Sequence, residues 1–164
     1  MEQQSSRRRV RLGVAPMKVR EIMVEPVVLV REDTPLEEVA RIMLQRRIGC
    51  LPVVDGADKL VGIITESDFT GKERGFPFSA YLAPQVFGEW VDKSGIERIY
   101  EAARKRTASE IMTRQVVTAT EDEPVTDLVV RMVQKDLKRI PVVRDGVPVG
   151  IVARHDLLKL MARK

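Results

Sequence analysis

The sequence predicts an α+β protein with α/β-type layers, in which one β-α-β-β-α unit occurs twice. The first observation behind this prediction is an internal repeat. A shift of 89 positions places the Glu-Ile-Met at 21–23 on that at 110–112, and the Pro-Val-Val at 52–54 on that at 141–143. The second observation is that each copy holds a helical stripe of apolar residues between short β-branched runs.

The elements of the first unit follow one another along the chain. The β-branched run Val27–Val30 predicts a strand. Residues 34–37 (Thr-Pro-Leu-Glu) predict a capping box with proline at the first helical position, and the helix that follows has one apolar face. The runs Leu51–Val54 and Leu60–Thr65 predict two further strands, and a second helix is predicted to begin near Asp68. The second unit repeats this order.

Composition narrows the possible classes of protein. Of the 164 residues, 44% are hydrophobic and 32% are charged, a balance typical of globular domains. With one cysteine, Cys50, and one histidine, His155, the chain cannot form an intramolecular disulfide or a Cys/His zinc site, and no metal is predicted. The low cysteine content, and the lack of an apolar run near 18 residues, predict a cytoplasmic location and no membrane partner.

Two segments differ from the repeated units. Residues 71–105 hold six of the seven aromatic residues and predict a helical insert with an aromatic cluster. The plainer interpretation is a local core, and the alternative is a surface for a partner or a second subunit. Residues 1–16 show no apolar periodicity and predict a flexible basic arm. The first unit is therefore assigned to 17–70 and the second to 106–164.

The formal net charge of +4 is concentrated in the arm. Residues 1–16 contain four arginines and one glutamate, a charge of +3, which leaves +1 for residues 17–164. The folded part is nearly neutral, so the net charge gives no reason to expect a polyanion such as nucleic acid as its partner.

Both units carry three short motifs in the same order. In the first unit these are Ile-Met at 22–23, Leu-Pro-Val-Val-Asp at 51–55 and Val-Gly-Ile-Ile-Thr-Glu-Ser-Asp at 61–68. In the second they are Ile-Met at 111–112, Ile-Pro-Val-Val at 140–143 and Gly-Ile-Val-Ala-Arg-His-Asp at 150–156. Each unit resembles the cystathionine-β-synthase (CBS) domain, and two such units resemble the CBS pair, or Bateman module.

This resemblance covers roughly 110 of the 164 residues. It implies that the two units pack through their sheets about a pseudo-twofold axis and leave two clefts between them. It also implies adenosine-containing ligands in those clefts, namely AMP, ADP or ATP, and in some members S-adenosylmethionine or dinucleotides. Members of this family commonly dimerise, so a homodimer is expected.

Thr65 and Asp68 lie three positions apart, where a strand is predicted to end and a helix to begin. The N-terminus of a helix favours phosphate, and a carboxylate can accept hydrogen bonds from ribose hydroxyls. The resemblance implies this use for the Gly-x-x-Thr-x-x-Asp pattern, while simple capping of the helix is the alternative. The second unit keeps Asp156, but Ala153 replaces the threonine, so one cleft lacks a hydroxyl.

Basic residues cluster in the second unit. Lys138 and Arg139 resemble a basic pair that reaches phosphates in the gamma subunits of AMP-activated kinase, and His155 matches a position of phosphate contact in that family. Arginine suits phosphate because its planar guanidinium donates two parallel hydrogen bonds. Solvated surface charge is the alternative for the pair, and an ordinary exposed histidine is the alternative for His155.

Two unequal clefts are therefore predicted. The better one gathers the Thr65–Asp68 turn with the basic residues of the second unit, and the other holds Asp156 with a poorer set. The resemblance implies apolar walls for an adenine, although the same residues are also typical of a core. They are Ile63, Val116, Val117 and Pro141.

The resulting hypothesis is a stand-alone CBS-pair regulatory or sensor protein that binds an adenine nucleotide, with S-adenosylmethionine as a possible ligand, and that passes the signal to an effector protein. The chain contains no Walker-type loop, nucleophile elbow or histidine pair, so it is not expected to be an enzyme or to require a cofactor. Two alternatives remain. One is a nucleic-acid-associated regulator that uses the arginine-rich arm, and the other is a purely structural dimerisation module.

Overall fold

The computed structural model describes residues 16–69 and 101–162. The predicted arm lies outside the described residues except for Pro16. The predicted insert lies outside them except for residues 101–105, of which 101–104 are helical.

Two small sheets, one from each repeat, form the framework. In the first sheet, β1 (Val30–Arg31) runs parallel to β2 (Cys50–Val54), and β2 runs antiparallel to β3 (Leu60–Thr65). In the second sheet, β4 (Arg139–Arg144) runs antiparallel to β5 (Val147–Ala153). The α+β class is therefore confirmed.

The helices cover the sheets, and their apolar faces explain why they form. The α-helices are α1 (Leu36–Arg46), α2 (Glu66–Phe69), α3 (Ala108–Ile111), α4 (Val125–Gln134) and α5 (Leu158–Ala162), with 3-10 helices at Val19–Glu21 and Arg154–Leu157. α1 buries Leu36, Val39 and Met43, which share one helix face, and α4 buries the residues 89 positions later. Each such side chain contributes about 1.5–3 kcal/mol when it leaves water.

The first strand of each unit is shorter than the sequence predicts. In the first unit only Val30 and Arg31 pair with β2, and in the second unit the strand is reduced to a single bridge between Ala119 and Val142. The predicted capping box is also wrong. The Thr34 hydroxyl accepts a hydrogen bond from the Arg31 N–H at 3.1 Å, so it is used by the turn after β1, and α1 begins without a side-chain cap.

The N-terminal segment of each repeat is buried in the hydrophobic core of the other repeat. Ala108 and Met112, which begin the second repeat, are buried with the core of the first sheet. Val19 and Ile22, which begin the first repeat, are buried with the core of the second. Backbone hydrogen bonds fix this exchange: the Ala108 N–H donates to the Thr34 carbonyl at 2.8 Å, and the Val19 N–H to the Glu123 carbonyl at 3.0 Å. The second core also includes Ala119, Val125, Leu128, Met132, Ile140, Val142 and Val152.

The exchanged segments run along β3 and β5. Ile63 and Thr113 exchange two backbone hydrogen bonds of 3.0 and 2.9 Å, and Val24 and Ile151 exchange two of 2.8 and 3.1 Å. Each repeat therefore places the residues after its Ile-Met motif beside the Gly-Ile motif of the other repeat. This arrangement brings both units together around the turns that end β3 and β5.

Candidate ligand clefts between the repeats

The two turns that end β3 and β5 have the same local structure. The Thr65 N–H and hydroxyl donate to Asp68 Oδ2 at 2.6 and 3.1 Å, and the Ala153 N–H donates to Asp156 Oδ2 at 2.8 Å. Both aspartates therefore hold the start of a short helical segment, as the capping alternative predicted. This role leaves the second carboxylate oxygen of each residue for other partners.

The partners of the second carboxylate oxygen differ between the two turns. Asp156 is buried, and its Oδ1 lies 2.9 Å from Nζ of Lys159. Asp68 is half-buried, and within the part of the chain that the structure describes its Oδ1 accepts no hydrogen bond. Asp68 thus keeps an acceptor that can serve a ribose hydroxyl.

A cavity of about 230 Å³ lies between the two units. Its walls are mostly apolar, and polar or charged groups reach it at a few points, which is typical of small-molecule sites. The first unit contributes Val24, Pro26, Val27, Val28, Arg47, Ile48, Gly49 and Cys50, and the second contributes Arg139, Ile151, Ala153 and Asp156. This cavity corresponds to the predicted cleft that holds Asp156.

Cys50 and Arg139 occupy equivalent positions of the two repeats and approach each other across the interface. Cys50 pairs with Thr65 in the first sheet, and Arg139 pairs with Ala153 in the second. Burial raises the pKa of the Cys50 thiol from its ordinary value of 9.0 to about 12, the Arg139 charge lowers it and the Asp68 charge raises it. Cys50 therefore lies between the Asp156 cavity and the Thr65–Asp68 turn, and its thiol stays protonated at neutral pH.

Arg139 is the predicted basic residue that reaches the interface. A Cβ placed on Gly49 would lie 2.7 Å from Nη2 of Arg139 and 2.8 Å from Oε1 of Glu66. Glycine at position 49 therefore leaves room for the guanidinium, and the Glu66 carboxylate borders the same space. The sequence predicts Arg139 in the other cleft, with the Thr65–Asp68 turn. The structure instead places Arg139 in the lining of the Asp156 cavity, so this cavity does not lack a basic residue.

The other predicted basic residues lie at the surface. Lys138 is exposed, and its carbonyl accepts a 2.9 Å hydrogen bond from the Arg154 N–H. His155 is exposed in the 3-10 helix that also carries Asp156. Among residues 16–69 and 101–162, neither side chain forms an ion pair. Their expected contact with a ligand stays a prediction.

The predicted apolar residues are distributed over both units. Ile63 is half-buried in β3, where it pairs with Pro52 and bridges to Thr113. Pro141 is buried in β4 opposite Ile151, which lines the Asp156 cavity. Val116 and Val117 are half-buried in the segment that follows Thr113. The cavity described above contains none of these four residues.

The sequence prediction missed most of the lining of the Asp156 cavity. Val27 and Val28 are the residues that the 89-residue shift pairs with Val116 and Val117, so the repeat itself could have indicated them. The repeat could not have indicated Arg47 as a lining residue, because its equivalent is Asp136, a residue of opposite charge. Only the fold shows that Arg47 lines this cavity.

Comparison with known proteins bears on the family and the fold. A family model described as the CBS domain matches residues 19–74 and 108–163. The chain belongs to the CBS domain family. As a CBS pair, it is similar to the crystal structure of the CBS domain of a CBS domain containing membrane protein from Sphaerobacter thermophilus. The two are 47% identical, with a TM-score of 0.72 and coverage of 90% of each chain.

Two further relatives extend the comparison. The CBS domain pair of protein MJ0100, solved in complex with 5′-methylthioadenosine and S-adenosyl-L-methionine, is 32% identical to this CBS pair. Its TM-score is 0.65, and the match covers 90% of this chain and 97% of that one. The uncharacterized protein MJ1426 of Methanocaldococcus jannaschii is 36% identical over 154 residues, which cover 88% of this chain and 91% of that protein.

Some curated relatives are much longer than this CBS pair. The chain spans about a quarter of the length of an L-aspartate semialdehyde sulfurtransferase from Methanocaldococcus jannaschii, to which it is 33% identical over 155 residues. Within the two ranges that the structure describes, no helix combines the length and the apolar character needed to cross a membrane.

Proposed function

We propose that this CBS pair is a regulatory module that binds an adenosine-containing ligand between its repeats. The observation that carries the proposal is the cavity between the two units, which combines apolar walls with Asp156 and Arg139. Its size and composition suit the nucleoside part of a ligand, with charged groups reserved for its polar end. The two adenosine derivatives bound by the similar pair MJ0100 support the same class of ligand.

The Thr65–Asp68 turn supplies the second half of the proposal. The free carboxylate oxygen of Asp68 is suited to ribose hydroxyls, and Ile63 with Val116 and Val117 is suited to an adenine face. Lys138, Arg139 and His155 are the proposed phosphate contacts, which favours AMP, ADP or ATP over uncharged ligands. In this proposal Thr65 orients Asp68 through its hydroxyl.

Regulation follows from where the ligand binds. The described cavity is lined by both units, which exchange their N-terminal segments, so a ligand that contacts both units changes the free energy of their relative arrangement. A ligand shifts such an equilibrium only by its difference in affinity for the two states. No catalytic step is needed, and the proposed partners are a second copy of the chain and an effector protein.

Thermal unfolding tests the proposal. Ligand binding to the native state stabilises it by about 2.7 kcal/mol at a hundredfold excess over the Kd. We expect AMP, ADP, ATP or S-adenosylmethionine to raise the Tm by several degrees. The absence of any shift with millimolar adenosine ligands would contradict the proposal.

A pair of variants tests whether the Thr65–Asp68 turn contributes to the ligand-induced rise in Tm. Asp68→Asn keeps one acceptor oxygen for the Thr65 N–H but removes the charge, so the ligand-induced rise in Tm should shrink. Asp127→Asn is the matched control, because Asp127 is exposed on α4 and does not line the described cavity. Equal rises for both variants would argue against a role for the Thr65–Asp68 turn.

A further inference from the structure

The helices α1 and α4 end in the same way but with residues of opposite charge. Arg47 and Asp136, which are 89 positions apart, both adopt the left-handed conformation, with φ of 53° and 48°. After each of them the next N–H donates back into the helix, from Ile48 to Met43 at 3.0 Å and from Leu137 to Met132 at 2.9 Å. Asparagine, aspartate and glycine adopt this conformation readily, whereas arginine is not among the favoured residues.

The charges at these two positions have different partners. Asp136 Oδ1 accepts a 2.8 Å hydrogen bond from Nη2 of Arg154, and this contact holds the pKa of Asp136 below its ordinary value. Arg47 is exposed and lines the Asp156 cavity. Among the residues that the structure describes, no carboxylate lies within ion-pair distance of it. The charged residue at this position therefore has an ion-pair partner in the second repeat, and none among the described residues in the first.

The other charges of the cavity lie on Asp156 and Arg139. Lys159 lies 2.9 Å from Asp156 Oδ1 and compensates this carboxylate. Within the two ranges that the structure describes, no carboxylate lies within ion-pair distance of Arg139. Arg47 and Arg139 are therefore the two uncompensated charges among the described lining residues, and the exposed Arg47 makes the rim of the cavity positive. A positive rim above apolar walls favours a ligand with an apolar body and an anionic end.

We propose that Arg47 makes the Asp156 cavity selective for anionic adenosine derivatives, such as nucleoside phosphates, over uncharged ones. This inference rests on the proposed function, because it assumes that an adenosine ligand enters this cavity. Arg47 acts as a specificity-determining residue: its guanidinium donates hydrogen bonds to the phosphate, while the nucleoside packs against the apolar walls. The repeat equivalent of Arg47, Asp136, cannot play this part in the other cleft.

Isothermal titration with two probes tests the inference. AMP and 5′-methylthioadenosine share the nucleoside, but only AMP carries a phosphate. We expect Arg47→Gln to weaken AMP about tenfold, since a charge-assisted hydrogen bond is lost, and to leave 5′-methylthioadenosine within twofold of the original protein. Arg47→Lys should recover most of the AMP affinity, and the loss in Arg47→Gln should be smaller at high salt.

Arg46→Gln is the matched control. Arg46 is the exposed last residue of α1, and it does not line the cavity. Its substitution by glutamine removes the same charge one position away. Equal weakening of AMP by both variants, or equal weakening of both probes by Arg47→Gln, overturns the inference while the proposed function stands. If neither probe binds the original protein, both proposals fail.

Discussion

At the scale of single residues, one position of the repeat carries two different chemistries. Cys50 and Arg139 precede the Pro-Val-Val strand of their respective units, and the fold brings them together at the interface. Arginine there supplies charge to a cavity, whereas the cysteine is a small buried side chain with no acidic character at neutral pH. The position is thus specialised for charge in one repeat and for packing in the other.

The buried thiol predicts a pH dependence of stability. Because the pKa of Cys50 is about 12 in the folded protein and 9.0 ordinarily, folding favours the protonated thiol. The stabilisation is complete below about pH 9 and is lost as the pH rises toward 12, by about 1.4 kcal/mol per pH unit. In urea unfolding between pH 8 and 10.5, the original protein should lose about 2 kcal/mol more than Cys50→Ala.

Comparing how the free energy of unfolding changes with pH in the two proteins removes the contribution of lysines and tyrosines, which both proteins share. Identical loss of stability in the two proteins would show that the thiol is not buried as described. Slow alkylation of native Cys50 at pH 8, and fast alkylation in urea, provides an independent measurement.

At the scale of elements, the glycines of the Gly-Ile motifs are explained by contacts with the other repeat. A Cβ on Gly62 would lie 2.4 Å from Sδ and 2.7 Å from Cγ of Met112, and one on Gly150 would lie 2.7 Å from Sδ of Met23. The methionine of each Ile-Met motif therefore packs directly on the backbone of the other unit. Neither motif is complete without its partner from the opposite repeat.

Gly62→Ala should destabilise the fold by about 1–3 kcal/mol, because the new methyl group overlaps the Met112 side chain close to its backbone. Chemical denaturation measures the change. Gly56→Ala is the matched control, since a Cβ there meets no atom within 4 Å, and it should be close to neutral. Combining Gly62→Ala with Met112→Ala should cost less than the sum of the single changes, and strict additivity would contradict the contact.

At the scale of the whole molecule, the exchange of N-terminal segments makes each unit depend on the other. Ile22 is 1% exposed in the second core although it begins the first repeat, and Met112 is 7% exposed in the first core. The two repeats are therefore not independent domains joined by a connection. This is also why a ligand between them can affect the whole pair.

Ile22→Ala should reduce the free energy of unfolding by about 2–5 kcal/mol, because it leaves a cavity in the second core. Hydrogen exchange should show the largest loss of protection in β4 and β5, rather than in the strands of the repeat to which Ile22 belongs. Leu44→Ala is the control, since Leu44 is 79% exposed on α1, and it should change little. A larger effect in β2 and β3 would contradict the exchanged packing.

The sequence determined the repeated unit, its main helices and strands, and the family, because these depend on periodicity and on ordered motifs that recur at a fixed spacing. It also indicated the turns at Asp68 and Asp156, since capping chemistry is local. It did not predict that the Ile-Met segments change places or that Arg47 and Arg139 meet at one cavity. Those features were decided by tertiary structure, because they depend on which faces pack across the interface between repeats, and no spacing along the chain specifies that choice.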